Sequence, residues 1–243
     1  MKLRVAALYP DQMNIYADRG NLIFLRRRCE WRGLEFELNG IGMGEDLDPA
    51  GTDLVYIGGG QDRDQRLVAE DLVRAKRDAL VSAVENGTVV LAVCGGYQLL
   101  GESYELGEER IEGLGIADLR TVRGEGSRLI GNVAIEVDLG EGPRVVAGFE
   151  NHGGRTYLGA EAEPLGRVLK GHGNNGSDGL EGVRHLNVFG TYLHGPLLPK
   201  NSWLADALIA LALGSGDNPV ELESLADELE DRAHETARRV ALG

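Results

Sequence analysis

Cysteine is scarce in this chain, with two residues in 243, Cys29 and Cys94. They fall in different expected elements, so no disulfide framework is expected, and a reducing, cytoplasmic setting fits. Basic residues are also in short supply, 25 Lys and Arg against 39 Asp and Glu, for a formal charge of -14. A surface of that sign repels phosphate backbones, and no nucleic-acid partner is expected. Long apolar runs are missing as well. The longest nearly uncharged stretch, Trp203 to Leu213, contains Asp206 and is too short to span a bilayer. Met1-Lys2-Leu3-Arg4 runs directly into a strand-like segment without a leader pattern, so any membrane contact is expected to be indirect. There is no internal repeat. No Gly-Lys-Ser/Thr follows a glycine cluster, which sets aside a nucleotide P-loop, and His152, His172 and His185 lack metal-ligand spacing, so no metal is expected.

The first hundred residues alternate apolar runs with amphipathic ones. Leu3 to Tyr9 reads as a strand ended by Pro10-Asp11, and Leu22, Leu25 and Cys29 recur at helical spacing up to Arg32. Arg26, Arg27, Arg28 and Arg32 crowd the end of that helix and read as solvated charges complementing its C-terminus. Leu34 to Leu38 alternates as a second strand, Asp53 to Ile57 as a buried third, and a long helix runs from the polar residues after Gly60 to about Glu85. The run Thr88 to Gly101 then holds a valine-rich buried strand ending at Cys94, followed by Gly95-Gly96 and a helical segment from Tyr97. This order predicts an α/β fold, a flavodoxin-like open sheet, mostly parallel, with helices on both faces. Ligands of such sheets sit at the carboxyl ends of the strands, where both Gly58-Gly59-Gly60 and Cys94-Gly95 are expected.

From Arg110 onward the pattern changes to short strands, read as β-hairpins added to the parallel sheet, with runs at 115–119, 129–137 and 144–149. Glu150-Asn151-His152-Gly153-Gly154-Arg155-Thr156 ends the last of these in a dense polar cluster. Gly171 to Gly182 carries five glycines and reads as a flexible loop or lid. Val188 to Leu193 is strand-like and delivers His194 before Gly195-Pro196, and a helix follows from about Asn201 to Leu213. We therefore expect a main domain over 1–213 and an acidic amphipathic helical extension over 214–243.

A cysteine on a strand-to-helix turn is presented like a hydrolase nucleophile, and the positive end of the helix favours thiolate over thiol. An inert core cysteine after a valine-rich strand is the alternative; the two glycines after it, read as a sharp turn that clears space over the sulfur, favour the nucleophile. With an imidazole beside it, such a thiol attacks a carboxamide, and the imidazolium protonates the departing ammonia.

These segments carry a resemblance. Val93-Cys94-Gly95-Gly96-Tyr97-Gln98 is similar to the nucleophile turn of class I glutamine amidotransferases, and Gly190-Thr191-Tyr192-Leu193-His194-Gly195 to the histidine segment of their cobyric-acid-synthase-like branch. The stretches Asn14–Asn21, Ile57–Gly60, Gly148–Tyr157 and Tyr192–Asn201 resemble the glutaminase subunits of lipid II isoglutaminyl synthases, the similarity running to about Leu213. The resemblance implies that Cys94 is the nucleophile and His194 the base. It places an oxyanion hole at Gly59, Gly60 and Gly95, and substrate binding at Arg128, Gln98, Glu150, Asn151 and His152. It also implies a Mur-ligase-like synthetase partner, which binds ATP and uses the ammonia to amidate the D-glutamate of lipid II, with no cofactor in this chain. Many class I members carry a glutamate two residues after the histidine, but position 196 here is proline. Asp18, preferred, or Glu150 then supplies the third group, or the site is a Cys-His dyad. Rival readings are a glutaminase for another acceptor, such as a corrinoid carboxylate, and a non-catalytic binding or redox-sensing cysteine protein.

Overall fold

The computed structural model describes residues 1–15, 18–214 and 218–243; Tyr16 and Ala17, which belong to the Asn14–Asn21 motif, lie outside the described residues. Apolar runs and amphipathic segments alternate in space as they do in sequence. Strand β1 (Lys2–Leu8) leads to α1 (Arg19–Trp31), β2 (Glu35–Ile41) and β3 (Leu54–Ile57). One helical rod follows, made of α2 (Asp62–Asp71), a π-helical turn over Leu72–Lys76 and α3 (Arg77–Glu85), then β4 (Val89–Val93) and the six-residue α4 (Gly95–Leu100). Short strands come next: β5 (Ser103–Leu106), β6 (Glu109–Glu112), β7 (Leu119–Arg123), β8 (Leu129–Val137), β9 (Arg144–His152), β10 (Gly154–Leu158) and β11 (Gly166–Lys170). The chain ends with β12 (Leu180–Glu181), β13 (Val183–His185), β14 (Val188–Thr191), α5 (Ser202–Ala212) and α6 (Glu228–Leu242).

The main sheet has the order β13-β14-β4-β3-β1-β2, parallel throughout except for β13 at one edge. Strands β3 and β4 are buried along their whole length, as a parallel strand covered on both faces must be, which is why they read as unbroken Val, Leu and Ile. Edge strand β2 is half exposed and correspondingly mixed. Helix α1 packs with α5, and α2 with α4.

Of the later strands, β13 and β14 join the main sheet as an antiparallel hairpin. The others build two four-stranded sheets of their own, β10-β7-β5-β6 and β12-β11-β8-β9, tied to the segment after β14 by a bridge between Phe149 and His194. Three expectations change. The glycine-rich loop is pinned: Asn174 is fully buried and bonds both the N–H and the C=O of Gly182, while Tyr97 donates to its side chain. Among the described residues of the C-terminal extension, 218–227 are not helical and the helix begins at Glu228; Arg32 holds the Glu223 carbonyl against α1. Arg28, read as a solvated charge, is completely buried and forked between Asp206 of α5 and Asp227 at the start of α6. Helix α6 then lies against β8 and β9, burying Ala241 among Ala134 and Ala147.

Candidate active site

The end of β4 places Cys94 at φ 50° and ψ -103°, a conformation that side chains disfavour and that persists only where the surroundings enforce it. The enforcement is visible: the Cys94 N–H donates to the Thr191 carbonyl at 2.8 Å, and the Gln98 N–H returns to the Cys94 carbonyl at 3.0 Å. The cysteine itself therefore makes the sharp turn, and Gly95 and Gly96 lie inside α4. They are needed for close approach of backbone and not for the turn. A Cβ on Gly95 would stand 2.8 Å from the Gly60 nitrogen, and one on Gly96 2.5 Å from the Ile57 carbonyl oxygen.

His194 arrives from the neighbouring strand β14. Its backbone pairs with Phe149 in both directions, at 2.7 and 3.2 Å, which fixes the residue before its ring makes any contact. The imidazole Nδ1 lies 3.2 Å from each carboxylate oxygen of Asp18, and the ring is near enough to Cys94 to feel its charge. Burial opposes a charge on the ring. The charge at Cys94 and the Asp18 carboxylate outweigh it and push the His194 pKa up to about 10. Cysteine, imidazole and carboxylate thus stand together, with Asp18 and His194 fully buried and Cys94 nearly so.

Asp18 does more than face the ring. Its Oδ2 accepts the Gly59 N–H at 3.0 Å, so of the three amides expected to bind an oxyanion, Gly59 is committed to the carboxylate. Those of Gly60 and Gly95 lie together beside Cys94, and as the first helical residue of α4 Gly95 has no intrahelical acceptor. Glu150 lies elsewhere. Its carboxylate accepts the His172 backbone N–H and Nδ1, both at 2.7 Å, and the Gly173 N–H at 2.9 Å. Burial works to raise its pKa, but the His152 imidazole 3.9 Å away and the hydrogen bonds from His172 and Gly173 prevail and lower it. His152 is buried, stacked on the Tyr192 ring at 3.6 Å, with Nδ1 bonded to the Gly154 carbonyl; burial lowers its pKa. Arg128 is engaged with Asn151, Nε to the side-chain oxygen and Nη2 to the backbone oxygen, on the exposed rim of β8 and β9. Gln98 is buried behind the cysteine, its Oε1 accepting from Gln65 and its Nε2 donating to the Tyr192 hydroxyl.

Two buried groups went unnoticed in the sequence. Gln65 sits in a polar stretch indistinguishable from a helix surface. Glu181, in a glycine-rich segment, is fully buried and accepts the Tyr192 N–H at 2.7 Å and the Thr191 hydroxyl at 3.0 Å. Burial raises its pKa to about 8 against those hydrogen bonds. Among the described residues no group of three or more His, Cys, Asp or Glu is arranged to hold a metal ion, and no helix is long and apolar enough to cross a membrane.

A strained cysteine at a sheet's carboxyl edge, beside a carboxylate-oriented imidazole and near backbone amides, is an arrangement suited to acyl transfer of the cysteine amidotransferase kind. Comparison with known proteins agrees, and the chain belongs to the CobB/CobQ-like glutamine amidotransferase family, whose domain matches residues 4–202. It is 41% identical over 213 residues to the lipid II isoglutaminyl synthase (glutamine-hydrolyzing) subunit GatD of Streptococcus pneumoniae, covering 87% of this chain and 81% of that protein. Its identity to the Staphylococcus aureus subunit of the same name is 39% over 233 residues, 96% and 93% of the two chains. A probable cobyric acid synthase of Methanothermobacter thermautotrophicus is 39% identical over 120 residues, 44% of this chain but 23% of that protein. Among solved structures, PurLQS from Thermotoga maritima shares the fold at a TM-score of 0.56 and 20% identity, covering 97% and 99% of the two chains.

Proposed function

We propose that this chain is the glutaminase subunit of a lipid II isoglutaminyl synthase, hydrolysing L-glutamine to glutamate and ammonia with Cys94, His194 and Asp18. The observation that carries the reading is the Cys94–His194–Asp18 cluster, in a chain that matches glutamine-hydrolysing subunits over nearly its whole length. The Cys94 sulfur adds to the glutamine carboxamide carbon, and the oxyanion that forms takes hydrogen bonds from the Gly60 and Gly95 amides. The tetrahedral adduct collapses as the His194 imidazolium gives its proton to the leaving nitrogen, releasing ammonia and leaving a glutamyl thioester. His194, now neutral, takes a proton from water as the water attacks the thioester. Glutamate departs and the thiolate–imidazolium pair is restored. Asp18 holds the imidazole in the tautomer and orientation these transfers need.

The ammonia passes to a Mur-ligase-like synthetase subunit, which uses ATP to activate the D-glutamate carboxyl of the lipid II stem peptide. A corrinoid acceptor is the poorer reading, since the cobyric acid synthases align over a small part of their length. The test combines this chain with its Mur-ligase-like partner, ATP, lipid II and glutamine labelled at the amide nitrogen. Label appearing as D-isoglutamine supports the assignment, and label released only as free ammonia while lipid II stays unamidated contradicts it.

A further inference from the structure

The glycine triplet after β3 can be accounted for peptide by peptide. The Gly58 carbonyl accepts the Gly96 N–H at 3.2 Å, the Gly59 N–H donates to Asp18, and the Gly59 carbonyl accepts the Ile15 N–H at 3.2 Å. The Gly60 carbonyl accepts Nε2 of Gln65 at 3.3 Å, and the Gln61 N–H goes to Asp64. Among the described residues the Gly60 N–H has no acceptor, and its nitrogen lies beside Gly95.

One of those ties comes from a side chain with no role so far. Gln65 is 2% exposed, and its single amide nitrogen serves two acceptors on opposite sides of the site, the Gly60 carbonyl and, at 2.9 Å, Oε1 of Gln98. Gln98 sits one turn beyond Cys94 on α4, so Gln65 is a strut between the two backbones that present the Gly60 and Gly95 amides. The orientation of the strut is fixed chemically. The Gly60 carbonyl can only accept, so it takes the Gln65 NH2, which in turn requires the Gln98 oxygen and leaves Nε2 of Gln98 to donate to the Tyr192 hydroxyl, 2.6 Å from Thr156 Oγ1. A reversed Gln65 amide would set oxygen against both acceptors. Gln65 Oε1 has no hydrogen-bond partner and is buried, a cost that an apolar side chain of the same size would avoid. What the glutamine supplies in return is its NH2.

We propose that Gln65 is a positioning residue for the oxyanion hole, setting the spacing between the Gly60 and Gly95 amides through the Gly60 carbonyl and Gln98. The proposal rests on the glutaminase reading above. Oxyanion donors act by being in place before charge develops, and misplacement on the order of 1 Å costs about 100-fold.

The experiment uses this chain with its synthetase partner and compares wild type, Gln65→Met and Gln65→Glu. Ammonia release from glutamine is measured beside alkylation of Cys94 by iodoacetamide, a displacement that forms no oxyanion. For Gln65→Met, kcat falls about 10- to 100-fold while KM and the alkylation rate stay close to wild type. Gln65→Glu keeps the shape and carries the test if the methionine variant does not fold. Its ionised carboxylate opposes both acceptors, and its kcat, taken relative to wild type at each pH, recovers as the pH is lowered and the carboxyl regains a donor. A folded Gln65→Met with unimpaired kcat overturns the proposal, as does a parallel loss of kcat and alkylation, which would place Gln65 behind the nucleophile and not the oxyanion hole. A wild-type complex that releases no ammonia overturns the glutaminase reading and this inference together.

Discussion

Two buried carboxylates meet the same short segment of chain, and their circumstances differ. Asp18 faces the imidazole of His194, a group that can carry positive charge and whose pKa is raised to about 10. Glu181 faces only backbone N–H groups and the hydroxyl of Thr191, three residues before His194, and the nearby charge it does feel, Glu150, is negative. With no cation to offset burial, its pKa climbs to about 8. The contrast shows what converts a buried acid into chemistry: a titratable partner aimed at a reacting atom. Neutral donors in equal number hold backbone in place and leave the acid reluctant to ionise.

The sharpest way to break this comparison is to replace each acid by its amide in turn. Asp18→Asn keeps the shape but offers the wrong group to Nδ1 and to the Gly59 N–H. Glutaminase kcat is expected to fall by about 1,000-fold or more in a steady-state ammonia assay. Glu181→Gln, read in the same assay at pH 7, is expected to leave kcat within a few fold, because Glu181 touches backbone and hydroxyl and not the ring. Equal losses in the two variants would erase the distinction.

Arg28 sharpens the comparison from the other side, being a buried cation with two carboxylates and no reacting atom nearby. Arg28→Met leaves Asp206 and Asp227 crowded without their counter-charge. It is expected to lower stability by about 3 kcal/mol in denaturant unfolding with little change in the kcat of the folded fraction.

The smaller effects are pH-dependent. Glu181 has its folded pKa raised from the ordinary 4.5 to about 8, so between those values the native state holds a proton that the unfolded chain has lost. Stability attributable to it is full below the unfolded pKa and is lost as pH rises through the folded one. Relative to Glu181→Gln, wild type should lose up to about 1.4 kcal/mol per pH unit across that window, read from thermal unfolding. His194 shares the sign but at higher pH: its contribution, present below the ordinary histidine range, should disappear as pH rises through about 10. In His194→Ala that high-pH loss should be absent.

Much of this site was legible in the sequence, for identifiable reasons. The valine-rich run before Cys94 and the strand-like run before His194 are period signals that survive tertiary context, and they place both residues at the carboxyl edge of one sheet. Asp18 was one of two candidates for the third group, and it is the one beside His194; the proline at position 196 had already pointed away from the sequence-local alternative. What escaped was every interaction whose partners are far apart and of ordinary composition. Arg28 looks like its exposed neighbours Arg26 and Arg27 until Asp206 and Asp227 arrive from 178 and 199 residues away. Gln65 and Glu181 have no periodic signature at all, because a buried polar side chain is defined by its partners and not by its spacing. The turn assigned to the two glycines after Cys94 belongs to the cysteine for a related reason: the pressure on the glycines comes from Ile57, at the end of another strand, and from Gly60 beyond it.

The central claim is that Cys94, oriented through His194 and Asp18, is acylated by glutamine. The most direct measurement is mass spectrometry of the chain, with its synthetase partner, rapidly quenched in acid during turnover of glutamine. A glutamyl adduct on the peptide containing Cys94, absent from Cys94→Ala together with all ammonia release, is the predicted result. Ammonia release that persists in Cys94→Ala, with Cys94 never acylated in the active wild type, would contradict the account.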